Sequence, residues 1–290
     1  MDILDQIISK SKSINKITNF DSKNFKKKYL NKGEPIVLKG YGDDWPAKTK
    51  WSLDFLSGLE TEEPVSLELG ANNQNETDFV KQNLSSYIES IKKGDQIKGE
   101  SPAYLTLFNI FSRFPHLNED IDLSIFTKYT KKNNVYGWIG PKGTVTGFHQ
   151  DSLNNMLAQV MGRKQVVLAS PKQSNSMYVS DKFDLGAVSS EVDINNYNKE
   201  KHPKIQDVDF FSTVLEPGDV LFIPRKWWHY VKSIDMSISI NNFGALLKDV
   251  LITETIEGIQ YRLHCRGYYK KKNNCTCHKV VDGEIISKYA

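Results

Sequence analysis

Two histidines and an aspartate are the residues of this 290-residue chain best placed to do chemistry together. His149 and Asp151 stand two apart in TVTGFHQDSLNNM. On a strand, residues i and i+2 point to one face, so an imidazole and a carboxylate can aim at a single point. A third ligand should come from a distant strand, and His229 in EPGDVLFIPRKWWHYV is the candidate. Two histidines and a carboxylate fill one face of an octahedron and leave three positions for a co-substrate and dioxygen, as non-haem iron(II) oxygenases require. A His-x-Asp triplet also arises by chance, and His229 alone reads equally well as a core histidine behind two tryptophans. His116, His202, His264 and His278 have no carboxylate at i+2. The setting of the three residues is what joins them.

That setting is a change of pattern at Val135. VYGWIG, NMLAQVM, KQVVLAS, STVLE, DVLFIP, HYVKSI and SISINNF are short runs rich in β-branched and aromatic residues, mostly separated by turn residues. Such runs predict an antiparallel barrel or jelly roll. His-x-Asp opens one run; His229 follows the turn Glu216-Pro217-Gly218-Asp219, a strand over Val220–Ile223 and the stop at Pro224. Upstream, DILDQIISK has helical spacing, and Asp21 and Ser22 could cap a second short helix holding Phe25 and Tyr29. EPIVLKG and PVSLELG read as strands, Ser52 as the cap of a helix, and Leu84 to Lys93 as a helix. AYLTLFNIF reads as a strand or short helix, and residues 71–77 and 115–134 as connections. LLKDVLITETIEGIQYRLH, with Leu246, Leu247, Val250, Leu251, Ile256, Ile259 and Leu263, predicts an amphipathic helix of about five turns.

WIGPKGTVTGFHQD, NMLAQVMGRKQVVLASP and EPGDVLFIPRKWWHYVKSIDMSISINNF together resemble the JmjC (cupin-like) Fe(II)- and 2-oxoglutarate-dependent oxygenases. They look most like the small hydroxylase branch around JmjC domain-containing protein 5 and the factor-inhibiting-HIF asparaginyl hydroxylase. The resemblance is strong over residues 135–243, extends from about residue 33 through EPIVLKGYGDDWPAKTKW, and fades after 245. It implies a mainly β fold with flanking helices: a double-stranded β-helix (jelly roll, cupin-like) core with N-terminal helices and strands and a C-terminal helical extension. The implied division is an N-terminal helical segment (1–32), a catalytic domain (33–244), and an amphipathic helix with a basic Cys/His tail (245–290).

The resemblance also implies a co-substrate site. The distal carboxylate of 2-oxoglutarate needs a cation and hydroxyl donors. Lys164, which follows the turn Met161-Gly162-Arg163, stands where this branch places its carboxylate-binding lysine. Thr146 matches a hydroxyl donor, Tyr104 the phenol that completes the pocket, and Asn155 and Asn241 amides beside iron and co-substrate. In isolation Lys164 reads as a surface lysine and Thr146 as a strand former. Asn155 and Asn241 stand in runs that read as core strands, where Asn is disfavoured and a buried amide must find partners. Trp138, Gln150 and Trp228 are the substrate-side candidates. Tryptophans pack readily in cores, which is our reading of Trp227; Trp138 could wall the mouth. Gln150 points away from His149 and Asp151 on a regular strand but could reach the rim. Where the branch has an aromatic pair, this chain has Asn242-Phe243-Gly244, so the substrate does not carry over.

Composition narrows the classes. Thirty-eight basic against 35 acidic residues give a net charge of +3, too small for a nucleic-acid-binding domain. MDILDQIISKSK has no basic region ahead of an apolar run, and no stretch is long and apolar enough to span a membrane. Three cysteines, Cys265, Cys275 and Cys277, fit a reducing compartment, the cytoplasm or, in a eukaryote, the nucleus. With His264 and His278 they could hold zinc, although Cys-x-Cys-His is not a standard knuckle; the alternative is a mobile basic tail with reduced thiols. The preceding helix could pair with its twin in a homodimer or pack on its own barrel. The resulting expectation is a dioxygenase using Fe(II), 2-oxoglutarate and O2 to hydroxylate an amino-acid side chain of a protein or peptide. A tRNA modified-base hydroxylase or lysine demethylase is the alternative within the family. A non-catalytic cupin-like scaffold is the alternative outside it, and that reading predicts a broken triad or a missing Lys164.

Overall fold

The computed structural model describes residues 2–18, 20, 24–59, 62–69, 78–94, 102–122, 135–244, 247–270, 275, 277–281 and 284–287. Two large sheets face one another. The smaller has the order β1 (Lys12–Ser13), β12 (Phe210–Leu215), β10 (Lys164–Ala169), β14 (Trp228–Ser233), β8 (Val145–Asp151) and β11 (Ala187–Ser189). The larger has the order β2 (Lys16–Ile17), β3 (Ile36–Leu38), β13 (Val220–Ile223), β9 (Asn154–Met161), β15 (Ser237–Gly244), β7 (Val135–Gly140), β6 (Tyr104–Phe108), β4 (Val65–Leu69) and β5 (Asp78–Gln82). From β7 to β10, and again from β12 to β15, consecutive strands alternate between the sheets, and the strand pairings beyond the first two short strands are antiparallel. This is the jelly roll that the strand pattern predicts.

Period-two alternation sorts the side chains into three apolar clusters. Val37, Leu157, Val166, Leu168, Leu221, Ile223 and Val231 meet between the sheets. Met156, Ala158, Val160, Ile238 and Ile240 point outward from the larger sheet, onto Leu56 of α3 (Leu53–Ser57) and onto Leu84, Tyr87 and Ile88 of α4 (Leu84–Lys93). Phe148, Val167, Trp228 and Tyr230 leave the other face of the smaller sheet and pack on Leu4 and Ile7 of α1 (Ile3–Lys10). Ser52 caps α3 by accepting from the Phe55 amide at 3.0 Å, as its position before an apolar run predicts. AYLTLFNIF is both a strand and a helix: β6 runs into α5 (Ile110–Arg113), where the Asn109 side chain accepts from the Ser112 amide.

Three expectations change. The N-terminal segment is not only helical: its two short strands extend both sheets in parallel, and Ile14 between them enters the inter-sheet core. Around Phe25 the helix is a single π turn, Lys26–Leu30, while the proposed caps Asp21 and Ser22 lie outside the described residues. The long helix α6 (Leu247–Cys265) forms but does not bury an apolar stripe. Leu251, Ile252, Ile256, Ile259 and Leu263 are all exposed, and among the described side chains of the helix the buried ones are Thr253 and His264. The apolar residues are spread round its circumference, and polar contacts tie it down: Arg225 pairs with Asp249 at 3.0 Å and donates to Thr253 at 2.9 Å. Leu246 lies outside the described residues. No described helix is long and apolar enough to cross a membrane.

The Glu216–Asp219 turn sets the entry to β13. Asp219 is 1% exposed and accepts from the Gly40 and Glu216 amides, each at 3.0 Å, and from Lys39 Nζ at 3.1 Å. One carboxylate therefore closes the turn and ties the chain after β3 to it. Its removal leaves two part-buried amide donors without their acceptor, each costly. We expect Asp219→Ala to lower unfolding free energy by about 3 kcal/mol in urea denaturation. A loss below about 0.5 kcal/mol, the size of an ordinary surface change, would contradict the anchoring role.

Candidate active site

His149 and His229 are directly opposite one another on β8 and β14, with ring centroids 4.0 Å apart. Asp151, two residues along β8, reaches both: Oδ1 lies 3.7 Å from His149 Nε2 and Oδ2 lies 3.4 Å from His229 Nε2. One ligand atom from each of the three lies within 4.8 Å of the others. Each ring contacts the carbonyl two residues before it through Nδ1, His149 to Gly147 at 2.9 Å and His229 to Trp227 at 3.0 Å. With Nδ1–H donating there, each Nε2 keeps its lone pair for a metal. Burial, and then neighbouring His229, push His149 down to about 4, so it is neutral near pH 7. Burial works against the charge on Asp151, but His229, His149 and the Asn155 amide outweigh it and hold the carboxyl below its ordinary value. Asp151 Oδ2 is buried with no hydrogen-bond partner. Two imidazoles and a carboxylate with a spare buried oxygen are a donor set that fits Fe(II).

Thr146 shares this pocket, and a regular strand would forbid it. Three residues before His149, it should face the other way. The pairing shifts between His229 and Val231: His229 sits opposite His149, but Val231 sits opposite Thr146. This bulge in β8 takes up the extra residue and returns Thr146 to the inner face.

Lys164 lies deeper. It is 1% exposed, and its Nζ donates to Tyr104 Oη at 2.9 Å and to Ser239 Oγ at 2.7 Å. Burial pushes its ammonium down to about 7. The turn that delivers it needs glycine: Gly162 has φ +67°, and a Cβ there would sit 2.0 Å from the Met236 carbonyl oxygen. Burial raises the Tyr104 phenol, which also meets the Thr146 hydroxyl, so Tyr104 stays protonated and able to donate. Asn241 Nδ2 donates to Asn155 Oδ1 at 3.0 Å, and the Asn155 amide in turn faces Asp151. The two buried amides therefore satisfy one another and the metal-side carboxylate.

Trp138 and Phe243 complete the inner cavity, about 40 Å³, with rings 6.0 Å apart. Gln150 lines a separate outer cavity of about 390 Å³ that shares Asp151 with the inner one. Its other walls include Phe183 to Val188, Arg225 and Lys226, and Thr253, Ile256, Glu257 and Gln260 of α6. Trp228 does not belong with the substrate residues. It is fully buried behind β14, in the cluster with Phe148 and Tyr230, and its Nε1 donates to Ser174 Oγ at 2.9 Å. Alternation explains this: its neighbour His229 takes the inner face.

Two site residues were missed by the sequence reading. Ser239 holds Lys164, and the signal was there: Ser237, Ser239 and Asn241 alternate with Ile238 and Ile240, marking a polar inner face on β15. Glu68 is 4% exposed, accepts from Thr106 Oγ1 at 3.1 Å and is pushed up to about 7 by burial, partly offset by Thr106 and Lys182. It pairs in register with Tyr104. Nothing local in PVSLELG marks it out.

A family profile described as a cupin-like domain matches residues 22–243. JmjC domain-containing protein D of Dictyostelium discoideum is 34% identical over 256 residues, covering 81% of this chain and 57% of that protein. Lysine-specific demethylase 8 of Xenopus tropicalis is 33% identical over 222 residues, covering 75% of this chain and 49% of that protein. tRNA wybutosine-synthesizing protein 5 of Gallus gallus is 31% identical over 231 residues, covering 72% of this chain and 70% of that protein. The chain spans about half the length of the first of these curated relatives. The jelly roll, the triad between its sheets and these matches agree: the chain belongs to the cupin-like JmjC family of 2-oxoglutarate oxygenases.

Proposed function

We propose that the protein is an Fe(II)- and 2-oxoglutarate-dependent dioxygenase that hydroxylates an amino-acid side chain of a protein or peptide. The observation that carries this is the coexistence, in one inter-sheet pocket, of an open two-histidine, one-carboxylate centre and a buried lysine with no anion among its hydrogen-bond partners. When bound, Fe(II) and 2-oxoglutarate would supply the oxidation: 2-oxoglutarate loses CO2 and becomes succinate, which takes one atom of dioxygen, and the other is inserted into the substrate C–H bond. His149, Asp151 and His229 would hold the metal by one face. Lys164, with Tyr104 and Thr146, would receive the distal carboxylate, and Ser239 would keep the ammonium aimed. Asn155 and Asn241 hold Asp151 in place. Trp138 and Phe243 narrow the entrance and exclude water. No residue of the site is needed as a general base.

The outer cavity is roomy enough for a side chain with its flanking backbone, and Gln150 stands at its junction with the metal side. It is mixed in charge, with Asp184 and Glu257 facing Arg225 and Lys226, which favours a polypeptide over a polyanion such as tRNA. The intact triad and Lys164 speak against a non-catalytic scaffold. The exposed Leu251, Ile252, Ile256 and Ile259 support the pairing of α6 with a second copy of the chain.

Purified protein given Fe(II) should convert 2-oxoglutarate to succinate slowly without substrate, and Asp151→Ala should abolish this while circular dichroism stays unchanged. Failure of the wild type to bind Fe(II) and 2-oxoglutarate in anaerobic titration would sink the enzyme reading. For the substrate, gain of one oxygen atom in a peptide from the native host supports hydroxylation. Release of formaldehyde from a methyl-lysine peptide, or oxygen gain in a tRNA base, would replace it with the alternative that each product names. Lys164 supplies a pH test. Its pKa lies near 7 rather than near 10.5, so above neutrality it is mostly uncharged in the empty pocket. A bound carboxylate favours the charged form, so binding takes up a proton. Affinity for 2-oxoglutarate should therefore fall as pH rises from about 7 to 9, approaching tenfold per unit. Lys164→Met should weaken binding by about 100-fold and flatten that slope. A wild-type affinity independent of pH over this range would refute the role of Lys164.

A further inference from the structure

The C-terminal Cys/His cluster assembles far from the chain positions of the iron ligands and is not used by the proposed reaction. His264 lies in the last turn of α6 and is fully buried. Cys275 and Cys277 follow beyond the turn, 3% and 9% exposed. One ligand atom from each of the three lies within 4.8 Å of the others. His278 cannot be added, because its side chain is outside those described.

The geometry points to a zinc-type structural site formed by His264, Cys275 and Cys277, with a fourth corner open to Cys265 or water. Three independent features support it. First, the donor set is right: two sulfurs and an imidazole nitrogen suit a borderline-soft divalent cation in tetrahedral geometry. With Zn–S near 2.3 Å and Zn–N near 2.0 Å, ligand atoms sit about 3.5–3.8 Å apart, so a contraction of about 1 Å closes the site. Second, the histidine is oriented as metal ligands are. Its Nδ1 contacts the Tyr269 carbonyl at 2.9 Å, the kind of outer contact that orients metal-bound histidines. Third, the surroundings are dry. Phe183 stacks on the His264 ring at 4.3 Å and 27°, and Tyr269 packs edge-on against Phe183. Cys265, the residue after His264 and half-buried, is close enough to influence the Cys277 thiol.

The site would also have a purpose in the fold. Cys275 pairs in a parallel bridge with Phe183, and Phe183 lines the outer cavity together with Ile256 and Gln260 of α6. A cation on His264, Cys275 and Cys277 would clamp the end of α6 and the following segment onto that wall. Burying two thiols and an imidazole on so small an apolar cluster does not by itself fix the segment; a metal that binds only the folded arrangement does.

The test uses the full chain carrying H149A and D151A, so that the iron centre does not take up zinc. After loading under reducing conditions and passage over a weak chelator, elemental analysis should find one zinc per chain. Cobalt(II) in its place should give a thiolate-to-cobalt charge-transfer band and intense tetrahedral d–d bands. Adding C275S and C277S should remove both signals. Wild-type protein keeps the cobalt assay decisive should those variants misfold, because His149, Asp151 and His229 contain no sulfur and cannot produce that band. Absence of retained zinc, a cobalt spectrum without the thiolate band, or zinc unchanged in a folded C275S/C277S variant would each overturn the proposal. Because the readout is metal stoichiometry and spectrum, it stands or falls separately from the dioxygenase reading.

Discussion

A buried ammonium with only neutral partners is the constraint around which the pocket is organised. Lys164 points into the space between the sheets, where its contacts are a phenol and a hydroxyl. Taking such a cation out of water costs several kcal/mol, and neutral hydrogen bonds return only part of it. The protein is left with a site that is electrostatically incomplete until an anion arrives. On the proposed reading, a dicarboxylate that also chelates a metal beside Asp151 would supply the missing charge at one end and ligand atoms at the other. Lys164 and the triad line one inner cavity, so a single small molecule would meet both.

Stability for this unsatisfied centre comes from the sheets, and their pleat decides who faces it. On β10, Lys164 shares its face with Val166 and Leu168; on β14, His229 shares its face with Val231. On these two strands a single polar group enters an apolar layer, flanked along its strand by branched side chains. The bulge on β8 breaks the pleat and brings Thr146 and His149 to the same side. A deletion there would turn either the hydroxyl or the ligand pair outward.

Much of this could be seen in the sequence. The jelly roll follows from short β-branched runs between turn residues, and His-x-Asp at the head of one run gives two ligands on one face. Other features follow from contacts that no local pattern encodes. Thr146 faces inward only because of a bulge, which is a property of a strand pair. Trp228 faces away from the pocket because its neighbour His229 faces in, and alternation assigns sides only after one residue is fixed. Helix α6 shows the opposite failure. Its apolar residues invite an amphipathic reading, yet they are spread round the helix, Arg225 ties it down through polar contacts, and Leu251, Ile252, Ile256 and Ile259 remain exposed. Periodicity records where apolar residues fall, and the partner that covers them is a separate fact.

The matched domain ends at residue 243, whereas α6 starts beyond it. On the proposed reading, the metal and co-substrate residues lie inside the match, and part of the outer cavity is built from outside it. Every residue proposed to touch metal or 2-oxoglutarate lies within the match. The outer cavity takes one wall from α6. These parts are mechanically joined: the Lys226 amide donates to the Asp151 carbonyl at 2.8 Å, and adjacent Arg225 grips Asp249 and Thr253 of α6. A displacement of α6 would thus reach the backbone of a metal ligand through two consecutive residues. An extension coupled in this way can change which side chain is presented to the metal without altering the ligands themselves.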